Sequence, residues 1–164
     1  MHRLLEKLAG RPAAGREALA LRLLGGEFPG LDGDTAGGVV AEALAVLDAP
    51  FAAEIFGPDS LAEAGVVLDL PGVDPMLGRI DRLVIRPGRV LVVDFKSDAQ
   101  PPGAAEAVPP GYLVQLGCYR AALAALYPER TVEAAILWTA GPVLMALDAE
   151  ILDRALAGRA ARAS

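Results

Sequence analysis

DRLVIRPGRVLVVDFKSD, residues 81–98, decides how the rest of the chain is read. Two β-rich runs, MLGRIDRLVI and RVLVVDFKS, flank Arg86-Pro87-Gly88-Arg89. Proline and glycine between two such runs are a turn signal, so the stretch predicts a β-hairpin. An even-length loop centred on Pro87-Gly88 sets Arg86 against Arg89, Ile85 against Val90, Leu83 against Val92 and Asp81 against Asp94. A one-residue bulge would shift this register and still leave the two acids near each other. Directly opposed residues have Cβ atoms about 4.5–5.5 Å apart, where two carboxylates repel unless something positive lies between them. Alternation along the second strand puts Lys96 on the same face as Asp94.

Lys96 is one of two lysines in a chain with thirteen arginines. Two acids beside a lysine suit a hard divalent cation. Magnesium prefers carboxylate oxygen, keeps several waters and accepts a substrate phosphate. A lysine beside it can orient or deprotonate a water, or neutralise charge growing on a phosphate. Arginine cannot serve as a base, whereas the lysine pKa moves readily on burial. The same letters also occur as plain surface charges. The opposition to Asp81 separates the two readings.

Outward from the hairpin, the first third is helical by pattern. HRLLEKLAG places Leu4, Leu5 and Leu8 on one face and closes at Gly10. GREALALRLLGG predicts a second helix ending in glycines. TAGGVVAEALAVLDAP predicts a third, capped by Thr35 and stopped before Pro50. LAEAGVVLDL predicts a strand ahead of the hairpin. Residues 99–111, AQPPGAAEAVPPG, read as a surface loop. GYLVQLGCYRAALAALYP predicts a long helix. TVEAAILWTAGPVLMAL predicts two strands, and DAEILDRALAGRAARAS a last helix capped by Asp148. The expected fold class is α/β, one mixed sheet flanked by helices.

The chain has 164 residues, 54% of them hydrophobic, which fits one domain over residues 1–164. Its net charge of -6 means that any nucleic-acid contact uses a local patch. A single cysteine, Cys118, excludes a disulfide framework and a cysteine-ligated metal site within this chain. The start has no apolar h-region and no apolar run reaches the ~18 residues of a membrane span, so a cytoplasmic setting is expected.

GRIDRLVI, VLVVDFKS and then QLGCY resemble the nuclease domain of the RecB/AddA helicase–nucleases, within the PD-(D/E)XK, or restriction-endonuclease-like, superfamily. The matching positions are Gly78, Ile80-Asp81, Asp94-Phe95-Lys96-Ser97, and Gln115-Leu116 with Tyr119. An N-terminal H-x-L-L-E-x-L pattern adds His2, Leu4, Leu5, Glu6 and Leu8, and SLAEAGVVLDLPG supplies Glu63. DFKS stands where DYKT is commoner. The pattern is most similar to the C-terminal nuclease domain of AddA. No Walker motif occurs in the chain, which reads as a domain of a larger bacterial helicase–nuclease or as a stand-alone relative.

The resemblance implies a Mg²⁺- or Mn²⁺-dependent deoxyribonuclease, an exonuclease of double-strand-break repair and recombination. It implies metal ligation by His2, Asp81, Asp94 and the Phe95 carbonyl. Lys96 would position or activate the attacking water, with Gln115 and Tyr119 facing the site from one helix. Without the family, Tyr119 reads equally well as core. Glu63 is either an acid beside the metal ligands or a solvated strand residue. Substrate contact is expected from Arg79, Arg82, Arg86 and Arg89. The implied partners are DNA, a helicase domain and a partner nuclease subunit, with no membrane. Two alternatives stay open: a catalytically silent module for DNA binding or subunit docking, and a stand-alone PD-(D/E)XK exonuclease.

Overall fold

In the computed structural model, residues 1–68 and 76–163 are described. Three helices open the chain: α1 (His2–Leu8), α2 (Arg16–Glu27) and α3 (Gly33–Asp48). A one-turn helix, α4 (Ala52–Ile55), leads into strand β1 (Ser60–Leu68). Strands β2 (Met76–Arg86) and β3 (Arg89–Lys96) form the hairpin. Helix α5 (Pro110–Leu126) then crosses to β4 (Thr131–Trp138), followed by β5 (Val143–Leu147) and α6 (Ala149–Ala163). The last two residues of the strand expected from LAEAGVVLDL, and Ser164, lie outside the described residues.

The five strands lie in the order β1-β2-β3-β4-β5. β3 and β4 run parallel and the other neighbours antiparallel, so the sheet is mixed. The parallel pair needs a crossover, which α5 provides. β3 is the middle strand, and Val90 through Phe95 are all buried. That is why it reads as a continuous apolar run instead of an alternating one.

Each face of the sheet carries its own core. Val90 and Val92 pack with Leu113, Leu116 and Leu123 of α5 and Leu152 of α6. Leu91, Val93 and Phe95 pack with Leu4, Leu5 and Leu8 of α1, Ala20 and Leu24 of α2, and Val40, Ala43 and Val46 of α3. Leu5 and Leu8 are fully buried, a gain of about 1.5–3 kcal/mol each. This packing holds the short α1, and with it His2, against the sheet.

Two local expectations need correction, and one short helix carried no expectation. The cap of α3 is Asp32, not Thr35: Asp32 Oδ1 accepts the Thr35 N–H at 2.9 Å, and the Thr35 hydroxyl donates to Oδ2 at 2.7 Å. The acid lies three residues ahead of the amide it serves, as an N-cap must. Gly25 and Gly26 do not end α2, which runs on to Glu27. They cost helix propensity, but Leu24 is buried one residue earlier and packing decides. α4 carried no periodic signal, being four residues long.

The hairpin has the expected register: Arg86 pairs with Arg89, Ile85 with Val90 and Leu83 with Val92. Gly88 has φ 74°, the positive value that the second central position of a type II turn requires after Pro87. The ladder stops at Arg82–Val93. Asp81 and Asp94 come next in register but do not pair through their backbones. The strands part there, and the fork is where the acidic residues collect.

Candidate active site at the fork of the hairpin

β2 is interrupted at Asp81 on its other side as well. In the β1–β2 ladder, Ala62 pairs with Arg82 and Ala64 with Ile80, leaving Glu63 and Asp81 opposite each other and unpaired. Glu63 has φ 52°, a left-handed conformation that a residue with a Cβ adopts at a cost of roughly 1–2 kcal/mol. Freed from both ladders, the Asp81 carboxylate bridges the fork. Its Oδ2 accepts the Phe95 backbone N–H at 2.6 Å and lies 3.2 Å from His2 Nε2. One side chain thereby replaces the ladder bond that the parting strands give up.

Asp94 is 3% exposed. Its Oδ1 accepts from Gln115 Nε2 at 3.2 Å. Lys96 Nζ lies 2.6 Å from Oδ2, yet Oδ2 has no hydrogen bond of good geometry. The contact is ionic and lies off the hydrogen-bonding direction. Burial pushes the Asp94 carboxyl above its usual range, and the neighbouring Asp81 charge adds to this against the pull of Lys96 and His2.

Lys96 Nζ also donates to Gln115 Oε1 at 3.2 Å. Gln115 Nε2 lies 3.3 Å from the Tyr119 hydroxyl, which donates to the Arg79 carbonyl at 2.9 Å. The two residues sit on one face of α5, four apart, as helical spacing requires. Tyr119 is 5% exposed and packs in the core, so it serves core and site together.

Three residues that pattern reading passed over complete the surroundings of Lys96. The Tyr112 ring lies 4.1 Å from Nζ, within cation–π range. The Tyr112 hydroxyl donates to Asp98 at 3.3 Å, and its ring tilts against Trp138 at 6.3 Å. Tyr112, Gln115 and Tyr119 follow i, i+3, i+7 spacing, a signal that was available in the sequence.

His2 stacks over the buried Phe95 ring at 5.4 Å. Its hydrogen bond to Asp81 raises its pKa, against the opposing effect of burial. Glu63 pairs with Arg79 at 3.2 Å, and its charge adds to the raised His2 pKa. The structure thus brings together His2, Glu63, Asp81, Asp94, Phe95, Lys96, Gln115 and Tyr119.

The four arginines named for DNA contact do not form one group. Arg79 is the exposed one, 74% at its side chain. Arg82 is buried over the Phe56 ring at 4.8 Å, and burial lowers its pKa. Arg86 lies 3.5 Å from Asp59 and 3.8 Å from Glu54. Arg89 pairs with Glu133 at 2.7 Å and with Glu54, and these bonds raise its pKa.

A profile of the PD-(D/E)XK nuclease superfamily matches residues 1–162. The chain belongs to this superfamily. Its members typically use divalent metals, so the fit of the site to such an ion matters. Among the described residues, no three His, Cys, Asp or Glu side chains are gathered as a metal cluster. Two carboxylates with a buried, under-satisfied oxygen remain, a donor set that suits Mg²⁺, which takes one or two carboxylates plus water and phosphate. Among solved structures, SSO0001, known from a crystal structure, matches with a TM-score of 0.40 and 12% identity over 87% of this chain and 69% of that one. No curated protein matches the chain. Among the described residues, no helix is long and apolar enough to cross a membrane.

Proposed function

We propose that this PD-(D/E)XK superfamily member is a Mg²⁺- or Mn²⁺-dependent deoxyribonuclease hydrolysing phosphodiester bonds at the hairpin fork. The observation that carries the reading is Lys96, held between Asp94 and Gln115 next to a second carboxylate, Asp81. In this reading Asp81 and Asp94 would hold the cation, with His2 and the Phe95 carbonyl as further ligands and Glu63 beside them. When bound, the ion would supply polarisation of the phosphoryl oxygen and a lower pKa for water. Lys96 orients the attacking water and balances charge growing on the phosphate. Gln115 fixes the ammonium through Oε1, and Tyr119 fixes the Gln115 amide. The water gives up a proton as its oxygen forms the new P–O bond, one ester P–O bond breaks, and the departing sugar oxygen takes up a proton to leave as a hydroxyl.

Arg79, exposed at the rim, is the arginine of the four best placed to reach the substrate backbone. The finer reading is an exonuclease working beside a helicase domain and a partner subunit in bacterial break repair, as in the RecB/AddA proteins. The ordered set His2, Asp81, Asp94-Phe95-Lys96-Ser97 and Gln115-Leu116-x-x-Tyr119 supports it.

The test is cleavage of linear single- and double-stranded DNA with Mg²⁺ or Mn²⁺, by wild type, Lys96→Ala and Asp94→Ala. Loss of cleavage in both variants, with DNA binding retained, is expected. Equal activity in all three would remove the catalytic assignment. Resistance of closed circular DNA is the result expected of an exonuclease.

A further inference from the structure

A cavity of about 260 Å³ adjoins the fork on the α5 side. Gln115 and Tyr119 form one wall, Gly78 and Gly111 leave bare backbone on others, and Arg159 of α6 reaches in. Arg159 is half-buried. Among the described residues its one hydrogen-bond partner is the Cys118 sulfur at 3.9 Å, a weak acceptor. The same helix pair treats Arg120 differently: it is matched with Asp153 at 2.7 Å. α6 packs closely on α5 one turn and two turns before Arg159. A Cβ on Gly117 would lie 3.0 Å from the Leu152 carbonyl and 3.0 Å from Leu156 Cγ, so α6 rests directly on α5. A semi-buried guanidinium at the edge of a cavity, with no carboxylate partner among the described residues, suits an oxyanion. Its planar fork matches phosphate bidentately.

We propose that Arg159 and this cavity hold a backbone phosphate of the DNA strand adjacent to the phosphate being cleaved. The proposal rests on the nuclease reading, because Gln115 and Tyr119 line both the cavity and the fork. A strand engaged at one passes the other. Arg159 is then a substrate-binding residue: it sets affinity and the position of the strand and takes no part in bond breaking.

The test uses the full chain in a Lys96→Ala background with Mg²⁺, so that the strand stays intact, and titrates a short labelled single-stranded oligodeoxynucleotide. Adding Arg159→Gln is expected to weaken binding about tenfold and to lower the slope of log affinity against log salt by about 0.7, the loss of one phosphate contact on a single strand. Arg154→Gln makes the same charge change at an exposed site on the same helix, and is expected to leave both quantities unchanged. Arg159→Lys is expected to keep the salt slope and lose affinity, since the charge remains and the fork is gone. It serves in place of Arg159→Gln should that variant unfold. Unchanged affinity in both Arg159 variants, with the parent binding DNA, overturns the subsite and leaves the nuclease reading standing. Equal losses in Arg154→Gln and Arg159→Gln also overturn it, because net charge would then account for the effect. A wild type that neither binds nor cuts DNA overturns the reading beneath it.

Discussion

The two ends of the β2–β3 hairpin carry similar numbers of charges and use them in opposite ways. At the turn, Arg86 and Arg89 are matched by Glu54 of α4, Asp59 of the turn before β1 and Glu133 of β4. These pairs are partly exposed, and each contributes little, about 0–1 kcal/mol. At the fork, two carboxylates share a pocket with one lysine and a histidine, and the most buried of them, Asp94, keeps an oxygen without a hydrogen bond. One end has settled its electrostatics within the fold. The other gathers two carboxylates around one lysine and leaves an Asp94 oxygen without a well-formed hydrogen bond, and perturbed electrostatics of this kind mark a functional site more often than charge content does.

The largest expected effect breaks the fork. Lys96→Ala should lower the rate of DNA cleavage by at least ~10²-fold with folding intact by circular dichroism. Lys96→Arg should fail to restore it, because the larger guanidinium cannot reproduce a compact donor beside Asp94. Next comes the contrast between arginines. Arg79→Ala should weaken DNA binding severalfold, whereas Arg89→Ala should leave binding unchanged and lower stability by about 1 kcal/mol, read as a small drop in melting temperature. Equal losses of binding would erase the distinction between the two ends.

Asp94→Asn sharpens the comparison through pH. The folded-state pKa of Asp94 is raised above 3.8, so the native state holds a proton that the unfolded chain releases. The stability linked to that proton is present below the unfolded value and lost as pH rises through the folded one. In metal-free buffer, Asp94→Asn should therefore melt higher than wild type at neutral pH and gain nothing at strongly acid pH. Added Mg²⁺ should stabilise wild type and not the variant. The smallest effect is a calibration far from both ends. Asp32→Ala removes the α3 cap, and hydrogen bonds from Thr35 lower the Asp32 pKa. Its melting deficit should be full above the unfolded pKa and shrink as pH falls through the lowered folded value.

The hairpin was legible because its register depends on local facts: a Pro-Gly turn between two β-rich runs. Asp81, Asp94 and Lys96 followed from counting. The partners of Arg86 and Arg89 were not legible, because Glu54 sits on a one-turn helix without periodicity and Glu133 on a strand brought in by a crossover. Trp138 was hidden for the same reason: it stands beside Lys96 only because α5 sets the parallel register of β3 and β4. Tyr112 is readable from its spacing to Gln115, although no motif letter marks it.

Glu63 and Asp81 leave the β1–β2 ladder at the same level, so the pairs on either side keep one common register. The interruption therefore carries no phase error: core residues beyond it meet the partners they would meet in an unbroken sheet. Chemistry at this level can vary without repacking what lies above or below. A single-residue deletion in either strand would do the reverse, turning every later side chain to the wrong face.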